Sequence, residues 1–532
     1  MLMNSRIKLN RSVLSILLVF ILGTGAAYSQ VDVRHYRLNI FLSDTTDEIR
    51  GSADIEVRHL QASDSVVFDL ARRDHSGKGM FVSSVVTNKT KEPLRFSQTA
   101  DKLIVYSSSK RGTSVQYTIT YSGVPSDGLI ISVNQFGQRT IFADNWPNRA
   151  HYWFPCIDHP SDKATVNFIV RAPSRYRIIA NGIRKEERTA GNNETITRYE
   201  ETIPIPTKVM VIGAAPFQVR NTGNVKGIPV SSWLFEGEKN VTAYDTAPSI
   251  LTFFIRKIGP FSYKKLANVQ SKTRFGGMEN AGAIFYFEES PAYPGVESLV
   301  AHEIAHQWFG DAATEKDWSH VWLSEGFATY LSNVYLEDKY GPDSLRRLMT
   351  QQRNKVLKFE KKRFTPIIDH VQSDYMQILN ANSYEKAAWV LHMLRREMGD
   401  AAFWKATRKY YKKYRNKNAD TDDLLRIFEQ VAGKDLDTFF NQWLYRAGNP
   451  KLTLNWRYRA DSKNLILRVT QEQPALYQLP FEFSIPGEPG LRSVLLKDRV
   501  TTVEVPVASV PASVIPDPNV NLMAEIKEDP QR

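Results

Sequence analysis

His302-Glu303-Ile304-Ala305-His306, followed after eighteen residues by Glu325 in Ser324-Glu325-Gly326-Phe327-Ala328, decides how this chain is read. On an α-helix, residues four apart share a face, so His302 and His306 can grip one metal ion together. Glu303 lies beside them, displaced from the ligand row but within reach of a metal-bound water. Glu325, on a second predicted helix, offers the third ligand. Three protein ligands leave one coordination position open, which is how a catalytic zinc site differs from a structural one.

The competing reading is an ordinary amphipathic helix with two histidines on its polar face. The surrounding residues argue against it. Leu299, Val300, Ile304, Ala305 and Trp308 make the stretch from Glu297 to Phe309 a largely buried helix, which Gly310 ends. Buried histidines beside a glutamate are costly unless something satisfies them, and a metal does. The second helix, Ser319 to Leu336, carries Leu323, Phe327, Tyr330, Leu331 and Val334 and stops before Gly341-Pro342. Two imidazoles and a carboxylate suit zinc, and also suit cobalt or manganese.

Outward from this site the periodicity changes. From Asp32 to Val219 apolar residues alternate, as in Tyr36, Leu38 and Ile40 or Ala53, Ile55 and Val57, which predicts an antiparallel β domain. Helical spacing starts near Ala247, and includes Ala387 to Met398 and Leu424 to Val431. Asp420-Thr421-Asp422-Asp423 is a helix start. Gly448-Asn449-Pro450 then breaks the chain, and Leu452, Leu454, Trp456, Leu465, Leu467 and Val469 alternate again, predicting a small β-sandwich. The expected organisation is multidomain α+β: a leader over 1–29, a β domain over 30–219, a mainly helical catalytic domain over 220–447 and a β-sandwich over 448–532.

The leader reads as a secretory signal peptide. Arg6, Lys8 and Arg11 precede the apolar run Val13 to Leu22, and Ala27-Tyr28-Ser29 suits cleavage. The run is too short to span a bilayer, and no other stretch is long enough. Cys156 is the one cysteine in 532 residues, so no intrachain disulfide forms. An exported protein without disulfides fits a bacterial periplasm or exterior. Net charge is +12, or +9 without the leader's three basic residues. The basic run Arg408 to Lys417, interleaved with Tyr410, Tyr411 and Tyr414, reads as a solvated helix face rather than a nucleic-acid surface.

Gly276-Gly277-Met278-Glu279-Asn280 precedes the metal motif. Together the two motifs resemble those of the one-zinc aminopeptidases of the aminopeptidase N and leukotriene hydrolase type, the gluzincin aminopeptidases. Phe154-Pro155-Cys156-Ile157-Asp158-His159-Pro160, His306-Gln307-Trp308-Phe309-Gly310, Trp322-Leu323-Ser324-Glu325-Gly326 and Ser383-Tyr384-Glu385-Lys386-Ala387 extend the likeness. The resemblance implies a saddle-like β domain, a thermolysin-like catalytic domain and a β-sandwich. Many members add a long helical C-terminal domain; ending at 532, the chain is expected to lack that superhelix and to have a more open site.

The resemblance implies one bound Zn2+ and peptide substrates with a free N-terminus. Glu303 takes the role of general base, in agreement with its place beside the ligands. Tyr384 is implied as oxyanion donor; sequence alone would not select it among 23 tyrosines. Gly276 and Gly277 allow close backbone approach, so that a substrate adds as a strand. Glu279 is implied as the anchor of the substrate's α-ammonium. Members also carry an amine-binding Gln or Glu upstream of Phe-Pro-Cys; here Ala143-Asp144-Asn145-Trp146-Pro147 offers Asp144 or Asn145 instead. Ser324 stands where many members have Asn, with little consequence expected. A leukotriene-type epoxide hydrolase and a catalytically silent binding protein are the competing functions. Preference at the first residue and oligomeric state depend on tertiary surfaces that the sequence does not display.

Overall fold

Alternating apolar side chains give the strands Val31–Phe41 and Ile49–His59 one buried face each, and their register sets Tyr36 opposite Ile55 and Leu38 opposite Ala53. In the computed structural model, which describes residues 30–529 except 89, 90, 192 and 373, these two lie inside a seven-stranded sheet. Its order is Ile183–Thr189, Glu194–Pro206, Lys163–Pro173, Val31–Phe41, Ile49–His59, Ser114–Val124, Gly79–Thr87. The leader over 1–29 lies outside the described residues. The sheet is mixed, which corrects the expectation of a purely antiparallel domain: Val31–Phe41 runs parallel to Lys163–Pro173, with Leu38 opposite Phe168. Alternation reports which face is buried and is blind to strand direction. A parallel partner needs a long crossover, and here the intervening chain also contributes strands to two smaller sheets. One joins Arg177–Ala180, Ile212–Ala215, Arg139–Ala143 and Leu129–Val133, and the other Ser63–Asp69, Lys102–Ser109 and Phe96–Gln98.

The next five-stranded sheet carries the site. Its order is Phe217–Val225, Ile228–Phe235, Leu266–Gln270, Ala283–Tyr286, Gly277–Met278, so the two-residue strand Gly277–Met278 stands at the edge. The helices are α1 (Ala247–Lys257), α2 (Val296–His306), α3 (Trp322–Tyr340), α4 (Pro342–Glu360), α5 (Ala387–Met398), α6 (Asp400–Tyr414), α7 (Thr421–Ala432) and the single-turn α8 (Asp437–Phe440). α7 begins on a capping box in which Asp420 and Asp423 satisfy each other's backbone N–H. α3 ends at Gly341, whose φ of 86° turns the chain into Pro342 at the head of α4. Beyond α8 the described residues contain no further α-helix. They form a four-stranded sheet (Val500–Pro506, Asn464–Gln471, Lys451–Arg459, Glu525–Glu528) and a three-stranded one (Arg492–Leu496, Leu479–Ser484, Ile515–Pro516), with Leu454, Leu467, Phe481 and Phe483 buried. No helix among the described residues is long and apolar enough to cross a membrane.

Buried polar ties fasten the first part to the site. Lys208 and Glu315, both almost fully buried, form an ion pair. Lys163 Nζ donates to the carbonyls of Asp311 at 3.0 Å and Ala312 at 2.9 Å, just past α2. Asn181 Nδ2 donates to Ala281 O at 2.9 Å, behind the edge strand. The Phe-Pro-Cys segment is core: Cys156 is buried and exchanges both backbone hydrogen bonds with Asp69.

Candidate metal centre and substrate cleft

α2 and α3 are packed so that the C-terminal turn of one faces the N-terminal turn of the other, and this packing brings the three predicted ligands together. His302 Nε2 and His306 Nε2 are 3.0 Å apart. Glu325 Oε2 lies 3.2 Å from His306 Nε2 and 3.5 Å from His302 Nε2. All three donors fall within 4.8 Å of one another. The orientation of His306 is fixed from behind. Its Nδ1–H donates to the carbonyl of Phe309 at 3.2 Å, and Ser324 Oγ lies 3.0 Å from the same nitrogen. A carbonyl can only accept, so Nδ1 carries a proton and Nε2 is the nitrogen presented to a metal. Gly310, at φ 122°, lets this happen: a Cβ there would lie 2.2 Å from Ser324 Oγ. Two imidazoles and one carboxylate whose donor atoms converge make a one-zinc donor set.

Electrostatics agree. Burial disfavours a charged His306, but the Glu325 carboxylate outweighs it and lifts the imidazole to about 10. Burial would raise Glu325, and the two histidines instead hold it far below the carboxylate range. Glu325 thus favours positive charge on His306, whereas burial, with the charge of His306 adding to it, lowers His302.

Glu303 sits one residue from His302, buried beneath the edge strand; burial pushes its carboxyl well up, with Glu279 and Glu325 adding to the effect. Tyr384 lies in a wide π-turn, Asn382–Lys386, leading into α5, and its ring stacks on His302 at 6.1 Å. Burial, then Glu325 and Glu279, hold its phenol protonated well above the usual range. Gly326 is what lets this turn come near Glu325, because a Cβ on Gly326 would lie 2.6 Å from the Cβ of Ala387.

Gly276, Gly277, Met278 and Glu279 line a cavity of about 420 Å³ with the metal cluster, Glu303 and Tyr384. Glu279 is 4% exposed, and its Oε1 has no hydrogen-bond partner. Asn280 is not brought to the cavity; it is fully buried, and neither amide atom has a partner. Gln307, which sequence reasoning passed over as part of a matched motif, clamps the edge strand to α2. Its Nε2 donates to the carbonyl of Glu279, and its Oε1 accepts from Gly282 N at 2.8 Å.

The upstream position resolves differently from expectation. Asn145 is a structural pin: Nδ2 donates to Thr207 O at 2.9 Å and Met210 O at 2.6 Å, and Oδ1 accepts from Trp153 Nε1 at 2.8 Å. Asp144 is buried against Arg149 at 3.1 Å and accepts from Arg274 N. Neither lines the cavity; Trp146 does. An indole is not an amine ligand, so a search for carboxylates and amides could not find it.

Two matches to known families cover the parts that build this site. Residues 242–443 match the Peptidase family M1 domain, and residues 33–209 match the Peptidase M1 N-terminal domain.

The chain belongs to the M1 peptidase family.

Among M1 relatives, Aminopeptidase M1-C of Oryza sativa subsp. japonica is 30% identical over 318 residues, which are 57% of this chain and 36% of that protein. Leucyl aminopeptidase of Saccharolobus solfataricus is 25% identical over 496 residues, 89% of this chain and 61% of that protein. The chain thus spans between about a third and three fifths of the length of these two curated relatives. The crystal structure of an M1 zinc metallopeptidase of Deinococcus radiodurans shares the fold, with a TM-score of 0.68 and 24% identity, over 78% of this chain and 94% of that one.

Proposed function

We propose that this M1 chain is a zinc-dependent aminopeptidase that removes N-terminal residues from peptides. The observation that carries the reading is the convergence of His302, His306 and Glu325 beside an edge strand whose Glu279 keeps a buried carboxylate oxygen without a partner. His302, His306 and Glu325 would hold the metal. Bound zinc supplies Lewis-acid activation of water and of the scissile carbonyl. Gly276 and Gly277 leave the strand edge open to the backbone of a peptide, which adds as a further strand. Glu279 takes the α-ammonium and sets the first peptide bond over the metal cluster. Glu303 accepts the proton of the attacking water as its oxygen bonds to the carbonyl carbon, then passes that proton to the departing amine as the C–N bond breaks. The Tyr384 hydroxyl donates to the oxyanion that forms between these steps.

The aminopeptidase names of the relatives support this reading, as does the mainly helical part over 220–447 with its α2–α3 ligand pair, which we take as thermolysin-like. We take the two C-terminal sheets as a sandwich. The basic head and apolar run within 1–29 support export to a periplasm or exterior.

Aminoacyl-naphthylamides test the activity. Hydrolysis should be lost on chelation and restored by zinc, and N-acetylation of the substrate should abolish it. Equal cleavage of acetylated and free substrates would refute the assignment.

A further inference from the structure

A second cavity, of about 720 Å³, opens where strands of three different sheets meet, and it shares no lining residue with the cleft at the metal cluster. Strand alternation sets what faces it. Arg177 and Ile179 come from the strand Arg177–Ala180, and Thr195 and Tyr199 from Glu194–Pro206. Val219 comes from Phe217–Val225, and Pro229 and Ser231 from Ile228–Phe235. Lys265 reaches the same space from the residue before the strand Leu266–Gln270.

The charge of this cavity is opposite in sign to that of the cleft. Glu279, Glu303, Glu325 and Glu385 line the cleft, with no lysine or arginine among the described residues. Arg177, Arg184 and Lys265 line the second cavity against a single acid, Glu187. Arg184 takes that acid, at 2.7 Å. Arg177 is exposed and forms no ion pair among the described residues. Lys265 forms none either. Its Nζ donates to the carbonyls of Ala180 at 2.8 Å and Gly282 at 3.1 Å, which uses two of its three protons. Burial lowers the ammonium to about 7, with Glu201 opposing the fall, as suits a cation short of counter-charge. Beside these two cations, Ile183, Val219 and Pro229 keep apolar surface open to solvent.

We infer that this cavity is a ligand site for a small organic carboxylate with an apolar body. The planar carboxylate matches the guanidinium fork of Arg177 and supplies the acceptor that the third proton of Lys265 lacks. The body of the ligand removes Ile183, Val219 and Pro229 from water. Pockets of ~300–1,000 Å³ are the size that takes such molecules. The inference stands apart from the aminopeptidase reading, because it uses none of the residues of the cleft.

The test titrates N-acetylphenylalanine into the zinc-loaded protein by calorimetry. Saturable binding at one site per chain is expected. N-acetylphenylalaninamide, which has the body without the charge, and inorganic phosphate, which has the charge without the body, should each bind at least ~10-fold more weakly. Arg177→Gln, at an exposed position, should keep its Tm and zinc content and bind the carboxylate ~10-fold more weakly, the weight of one charged hydrogen bond. Lys265→Met should weaken binding as much. It also frees the Gly282 carbonyl, so Arg177→Gln decides the matter if that variant does not fold. Chelation of the zinc should leave binding unchanged. No binding, equal binding of the amide or of phosphate, or full affinity in Arg177→Gln overturns the inference. Binding that depends on zinc places the carboxylate on the metal and overturns it as well.

Discussion

Gly277 lies directly over Glu303: a Cβ built on Gly277 would fall 2.3 Å from Oε1 of that glutamate. The glycine at the strand edge thus has a second duty besides admitting a substrate backbone. It leaves the volume in which the proposed base stands.

Gly277→Ala should therefore displace Glu303 without touching the metal ligands. Zinc stoichiometry is expected to stay at one per chain while kcat falls at least ~10-fold, within the ~10²–10⁴ that a positioned base contributes. Unchanged turnover at full zinc content would show that the carboxylate works equally well from another position.

Ser324 was expected to matter little, yet its Oγ lies 3.0 Å from Nδ1 of His306. Partners of this kind typically carry ~10–100-fold in metal affinity. Ser324→Ala should bind zinc ~10-fold more weakly, measured by competition with a chromophoric chelator, while the Phe309 carbonyl still holds the tautomer. Equal affinity would make the hydroxyl a bystander.

Tyr384→Phe removes a hydroxyl and keeps the ring that stacks on His302. The variant should fold, hold zinc and turn over ~100-fold more slowly, with the loss in kcat. A loss confined to KM would assign Tyr384 to binding instead.

Asp162 gives a pH signature far from the metal. It is buried, with one oxygen accepting from Val33 N at 3.2 Å and the other without a partner. Burial, reinforced by Asp32 and opposed by the Val33 N–H and Arg34, raises it to about 8. Because the folded state holds this proton more tightly than the unfolded chain, the stability it contributes is complete below about pH 4 and is lost as pH rises towards 8. Asp162→Asn keeps an acceptor for Val33 and cannot ionise. Its Tm should fall less than that of wild type between pH 5 and 8, and parallel Tm profiles would exclude the effect.

The pair His302 and His306 was legible because one turn of helix converts a spacing of four into a shared face. The same local rule made α5 and the start of α7 readable from apolar period and capping residues. Glu325 was legible only as the acidic residue of a second buried helix; what joins it to the histidines is the packing of α2 on α3, a contact no local pattern encodes. The edge strand was visible as a glycine-rich motif, but its fit over Glu303 was not, because that fit is a distance between two elements.

Parallel pairing of Val31–Phe41 with Lys163–Pro173 escaped for a related reason, since alternation carries burial and not direction. Asp144 and Asn145 were plausible amine ligands by residue type, and the fold spends both on structural ties while turning Trp146 to the cleft. By itself the sequence determined the chemistry available to this protein, because ligand type and helical period are local. Only the tertiary structure decided which glycine makes room for the base and which hydroxyl steadies a ligand. Each of these is a distance between groups remote in the chain, set by packing.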